Sequence, residues 1–246
     1  MSGDRVVVGL HPVRELLRAG RAVRSLSISE RRGTSPVLDE ILDLAARAGV
    51  SVAHVDAHAL DARAHGLVHQ GVVADAPAFP LASVTELIAR SIATTDRPLL
   101  VALDGVTDPH NLGSIARTAE ALGAQGMLIP DRRAAGITPT VEKAAAGALA
   151  HLPVARVTNL VRALDELGDA GIWSIGLDAD APVELTTSHL VSEPCVLVVG
   201  AESTGLRRLT RERCDVLARL RMRGRVDSLN ASVAAGIALH VLAQSR

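Results

Sequence analysis

Short apolar runs alternate along the chain with segments in which apolar residues recur every three or four positions. The first pattern predicts strands and the second helices, and their alternation predicts an α/β fold with a mainly parallel sheet. In the first part, SLSIS (25–29) reads as a strand, followed by a helix in SPVLDEILDLAARAG (35–49) with Ser35 as cap, Pro36 at its first position and Gly49 at its end. SVAHV (51–55) and QGVVADA (70–76) supply further strands. APAFPLA (76–82) interrupts every periodicity with two prolines and predicts a linker. The reading is therefore an amino-terminal α/β domain at 1–75, the linker at 76–82 and a second domain at 83–246. Ser83 and Glu86 make a capping box for the helix SVTELIARSI, and six strands follow: PLLVALD, GMLIP, VARV, IWSIGL, PCVLVVG and LARLRM.

Composition narrows the class. With 246 residues, 48% of them hydrophobic, the chain is long enough for a well-buried core. No run approaches the roughly 18 apolar residues of a membrane span, and charges interrupt the start, MSGDRVVVGLHPVRELL, where a secretion signal needs an apolar stretch. A cytoplasmic protein without a membrane segment is expected. Cys195 and Cys214 lack metal-ligand spacing and read as structural thiols. The histidines of the first part, His11, His54, His58, His65 and His69, show no third ligand at metal-site spacing, so no metal is assigned. Net charge is −1, yet residues 205–225 hold eight arginines against Glu212 and Asp215. Such a cluster suits a phosphate backbone, and equally a solvated basic face.

In an α/β sheet the loops after the strands carry the chemistry. Three stand out. In DGVTDPHNLGSIARTAEALGA (104–124) a polar turn leads into a helix beginning near Asn111 and stopped by Gly123; Asn111 could cap it, and Arg117 could pair with Glu120 one turn on. In GAESTGLRRLT (200–210), Gly200 and Gly205 free the backbone to approach a ligand, and Glu202 places a carboxylate at the strand end. In SLNAS (228–232), Ser228, Asn230 and Ser232 precede the last helix, and capping needs only one of them. No G-x-G-x-x-G follows any predicted strand, which disfavours a nicotinamide dehydrogenase.

These three segments, in this order, resemble the motifs of the SpoU family of RNA ribose 2′-O-methyltransferases. VGLHPVRELL and HGLVHQGVVA extend the resemblance to the small RNA-binding domain of the branch that modifies a guanosine in 23S ribosomal RNA, and DGVTDPHNLGS points to the same branch. The resemblance implies a carboxyl-terminal SPOUT domain with a deep trefoil knot, S-adenosylmethionine as cofactor, ribosomal RNA as partner and a homodimer. By the same analogy Gly200, Leu220, Met222 and Leu229 line the cofactor pocket, Arg117 is the catalytic arginine, and Asn111, Glu202, Ser228 and Asn230 orient the reactants. Ala231 departs from the branch, which often carries Val there. Alternatives are methylation of another ribosomal or transfer RNA nucleotide, including the antibiotic-resistance type, and a non-catalytic RNA-binding ribosome-assembly protein.

Overall fold

The computed structural model describes residues 4–132, 134–225 and 228–246; the first three residues of MSGDRVVVGLHPVRELL lie outside them. The chain opens with β1 (Arg5–Val8), α1 (Leu10–Arg18), β2 (Ser25–Ser29), α2 (Pro36–Arg47), β3 (Ser51–Val55), α3 (Ala57–Ala64) and β4 (Val72–Ala76). It continues through β5 (Leu81–Ala82), α4 (Val84–Thr94), β6 (Leu99–Asp104), α5 (Pro109–Ala121), β7 (Gly126–Pro130), α6 (Pro139–Ala144), β8 (Val154–Val157) and α7 (Leu160–Asp169). The last part comprises β9 (Trp173–Leu177), β10 (Val183–Glu184), β11 (Cys195–Gly200), α8 (Arg208–Arg213), β12 (Val216–Arg219) and α9 (Ala231–Gln244). Two compact units result, one of residues 1–80 with 137–151 and the other of residues 81–136 with 152–246. Among the described residues, no helix is long and apolar enough to cross a membrane.

The first unit is a four-stranded sheet in the order β1-β4-β2-β3, antiparallel except for the β2–β3 pair. Ser35 accepts a hydrogen bond from the Leu38 amide and Pro36 opens α2, whose Leu38, Ile41 and Ala45 are buried in the same core as Leu26, Ile28, Val72 and Ala74. Residues 137–151 belong to this unit although they follow β7 in the chain. Thr138 caps α6 by accepting from the Val141 amide, and Val141, Ala145, Ala148 and Leu149 are buried. The segment also places Glu142 Oε1 2.6 Å from Arg5 Nη1, and Arg21 Nε donates to the Ala150 carbonyl at 2.9 Å. Burial pushes the Glu142 carboxyl up to about 7, against the pull of Arg5.

The second unit is an eight-stranded sheet in the order β10-β12-β9-β11-β6-β7-β8-β5, and every pairing described in it is parallel. All its strands therefore end on the same side. The central strands β6 and β11 are buried at every position, as their unbroken apolar runs require. On one face Leu100, Ala102, Val196 and Val198 join Leu87 of α4 and Leu164 and Leu167 of α7 in one core, while α9 packs on α5 and β11. Ser83 and Glu86 form the expected capping box at α4.

Two sequence expectations change in detail. Leu81 and Ala82, expected in a linker, pair with Val154 and Ala155 as an edge strand, because two parallel backbone pairings need no hydrophobic periodicity. LARLRM reads as a strand to its end, but β12 stops at Arg219: its partner β9 ends at Leu177 opposite Ala218, and β10 reaches only Arg219. Leu220–Met222 therefore leave the sheet.

Candidate active site

Parallel strands bring the ends of β6, β9, β11 and β12 to one edge, where their following loops meet. After β11 the chain folds back at once, with paired hydrogen bonds between Ala201 and Gly205 at 3.0 and 2.8 Å. A Cβ at Gly200 would lie 2.2 Å from the carbonyl carbon of Gly205, so only glycine permits this hairpin. Asp104, at the end of β6, holds the far side: its Oδ2 accepts from the Arg207 amide at 2.8 Å. The hairpin, the loop after β9 and the stretch after β12 enclose a pocket lined by Gly200, Leu220, Met222, Ser228 and Leu229, together with Leu177, Asp178, Ala179, Val199 and Ala234. Ala201, Glu202, Gly205 and Ala231 complete it. Its wall is mostly apolar, with Asp178 and Glu202 the only charged side chains among the described residues that line it.

Asn111, Glu202 and Asn230 come together from three distant segments. Asn111 Nδ2 donates to Glu202 Oε2 at 3.2 Å, and Asn230 Nδ2 donates to Asn111 Oδ1 at 2.9 Å and lies 3.4 Å from each Glu202 oxygen. Asn111 does not cap α5. That role belongs to Asp108, which accepts from the amides of His110 and Asn111, so the Asn111 side chain is available to turn toward the carboxylate. Asn230 does cap its helix: Oδ1 accepts from the Ser232 and Val233 amides, leaving Nδ2 for the network.

A second pocket lies beside the first, lined by Gly105, Val106, Thr107, Asp108, Asn111 and Ser203. The two share Ala201, Glu202 and Ala231 as a common wall. Arg117 stands apart: it is exposed on α5, lines neither pocket, and has no hydrogen-bond or ion-pair partner among the described residues, so the helix-surface pair with Glu120 is not formed. Ser228 is exposed at the pocket rim. Burial pushes the Cys195 thiol up to about 11, which keeps it out of nucleophilic chemistry at neutral pH. Among the described residues, no group of three or more His, Cys, Asp or Glu is arranged to hold a metal ion.

Sequence reading missed Asp178. The strand before it was legible, but its loop, DADAP, has neither glycine nor a helix cap to draw attention. The arginine cluster also looks different in space, because acids from elsewhere in the chain meet it. Arg211 pairs with Asp178 at 2.5 Å, Arg221 with Glu184 at 3.8 Å, Arg207 with Asp104 at 3.6 Å and Arg213 with Asp165, while Arg208 pairs with Glu212 of its own stretch at 2.8 Å. Arg223 and Arg225 are exposed without an ion pair among the described residues.

Comparison with known proteins matches this architecture over both units. Residues 98–240 fit the SpoU rRNA methylase family, and residues 6–82 fit the RNA 2′-O ribose methyltransferase substrate-binding family. A 23S rRNA (guanosine-2′-O-)-methyltransferase, RlmB, of Pseudomonas syringae pv. tomato is 42% identical over 97% of this chain and 95% of its own length. The RlmB of Pseudomonas putida is 41% identical over 100% of this chain and 98% of its own. Among solved structures, the SpoU methyltransferase AviRb of Streptomyces viridochromogenes, in complex with AdoMet, superposes with a TM-score of 0.81 at 26% identity, covering 99% of this chain and 91% of that one. With the fold, the three motifs and both family matches in agreement, the chain belongs to the SpoU rRNA methylase family.

Proposed function

We propose that the chain transfers the methyl group of S-adenosylmethionine to the ribose 2′-hydroxyl of a guanosine in 23S ribosomal RNA. The observation that carries this reading is the wall of Ala201, Glu202 and Ala231 shared by a mainly apolar pocket and an adjoining one lined by Asn111 and Asp108. Two reactants held in adjoining pockets that share lining residues suit a direct transfer between them. The apolar pocket suits the cofactor: Gly200, Leu220, Met222 and Leu229 in its lining suit an adenosyl group, and its two carboxylates suit a cation. When bound, S-adenosylmethionine supplies an electrophilic methyl group on a sulfonium centre.

The rest falls to the protein. Asn111, Glu202 and Asn230 fix one another and present oriented amide and carboxylate groups to the ribose, with Ser228 at the rim. Arg117, exposed and without a partner among the described residues, clamps the RNA phosphate and favours charge developing on the ribose oxygen. Its role is electrostatic, through the positive charge and planar donor fork of its guanidinium.

Residues 1–75, joined in their unit by 137–151, serve as the RNA substrate-binding part, and the rest of 83–246 as the catalytic part. A homodimer is supported by the exposed Val233 and Ile237, one turn apart on α9, which leave an apolar stripe for a second copy. A trefoil knot is supported by the return of α9 from β12, near the sheet edge, to α5 and β11 at its middle. A cytoplasmic location is supported by the likeness to bacterial 23S rRNA methyltransferases.

Single-turnover methylation of 23S ribosomal RNA, with cofactor and RNA both saturating, tests the mechanism. Arg117→Ala should lower the rate by about a hundredfold, as for loss of one oxyanion donor. A near-native rate would remove Arg117 from the chemistry.

A further inference from the structure

The proposed cofactor pocket has a charge asymmetry that its shape does not require. Glu202 belongs to the amide network, which leaves Asp178 as a carboxylate without a role in orienting the ribose. Its geometry is fixed from both sides: Oδ1 accepts from the Asp180 amide at 2.9 Å, and Oδ2 lies 2.5 Å from Arg211 Nε. Arg211 does not line this pocket; it lines a separate cavity with Glu212, Cys214 and Asp215. Asp178 thus lines the pocket while its counter-ion lines a different cavity, and the paired acid holds the Arg211 guanidinium above its ordinary pKa.

We infer that Asp178 is a specificity-determining residue that favours the cationic methyl donor over its demethylated product. This rests on the cofactor reading above. In the transfer the bond from sulfonium sulfur to methyl carbon breaks, the methyl group joins the ribose oxygen, the hydroxyl proton passes to solvent water, and the sulfur keeps the electron pair as a neutral thioether. The ligand in the pocket therefore loses one positive charge while its adenosyl and amino-acid parts stay the same. A fixed carboxylate acts on that difference, while its attraction for the amino group is common to both ligands and cancels in their ratio. Spent product is bound less firmly than fresh donor.

The experiment is calorimetric titration of the full chain, without RNA, with S-adenosylmethionine and with S-adenosylhomocysteine, and the quantity read is the ratio of the two affinities. Asp178→Asn keeps the shape and the acceptor for the Asp180 amide but removes the charge, and should lower the ratio in favour of the donor by about fivefold. Arg211→Ala unscreens the carboxylate and should move the same ratio the other way, by about twofold. Opposite movements cannot come from a general loosening of the pocket. An unchanged ratio in Asp178→Asn, or equal weakening of both ligands, overturns the inference while leaving the cofactor reading intact. Failure of the unsubstituted chain to bind either ligand overturns the cofactor reading and the inference with it.

Discussion

Asn230 uses both ends of its amide. The oxygen closes the first turn of α9, and the nitrogen joins Asn111 and Glu202. Serine would have to cap and donate from one short hydroxyl, and aspartate could cap but has no donor, whereas the asparagine amide carries its acceptor and its donor on separate atoms. In the sequence, SLNAS is oversupplied with caps, and that surplus is a correct signal of a second duty. The Asn111 ambiguity is resolved only in space, where Asp108 already holds the cap position. A second residue invisible to sequence reading is Glu142. Its carboxyl is raised to about 7 by burial, so its contribution to the stability of the first unit is fully present below about pH 4.5 and is lost as pH rises through 7. Glu142→Gln stays neutral throughout. Its thermal stability relative to the unsubstituted chain should therefore improve between pH 5 and pH 8, by about 3 kcal/mol in all. Parallel stability profiles across that range would mean that Glu142 ionises in the folded protein as it does in water.

At the level of elements, the site is built from the loops at the carboxyl ends of the strands. The hairpin after β11 exists because Gly200 lets the chain fold directly back on itself, and alanine there would collide with the backbone of Gly205 and Leu206. Gly200→Ala should weaken S-adenosylmethionine binding by at least about tenfold while the helical signal in circular dichroism is retained, since the clash is local. Undiminished binding would separate the hairpin from the pocket. Buried central strands were legible because a parallel strand covered on both faces leaves a continuous apolar run, as in CVLVV and LLVAL. Edge elements were not. Leu81–Ala82 is too short to show a period, and LARLRM carries a strand-like alternation past the point where a neighbour exists to pair with it.

Across the whole molecule, chain order and spatial order part company in two ways. Residues 137–151 come after β7 yet take part in the first unit, and their buried Val141, Ala148 and Leu149 look in sequence like any amphipathic segment. The arginine-rich stretch is strongly basic when counted by neighbours in sequence, but Asp104, Asp165, Asp178 and Glu184 arrive from four other places to pair with it. Local charge counts see only local partners. The three motifs, by contrast, were legible because each carries its chemistry within a few residues, and the parallel sheet places Asn111, Glu202 and Asn230 within hydrogen-bonding distance of one another. The most direct test of the central claim is product analysis: the purified full chain is incubated with methyl-labelled S-adenosylmethionine and unmodified 23S ribosomal RNA, and the RNA is digested to nucleosides. The account predicts label in 2′-O-methylguanosine and in no other nucleoside, lost with Asn111→Ala or Asn230→Ala. Label on a base, or none in the RNA while the cofactor binds normally, would contradict it.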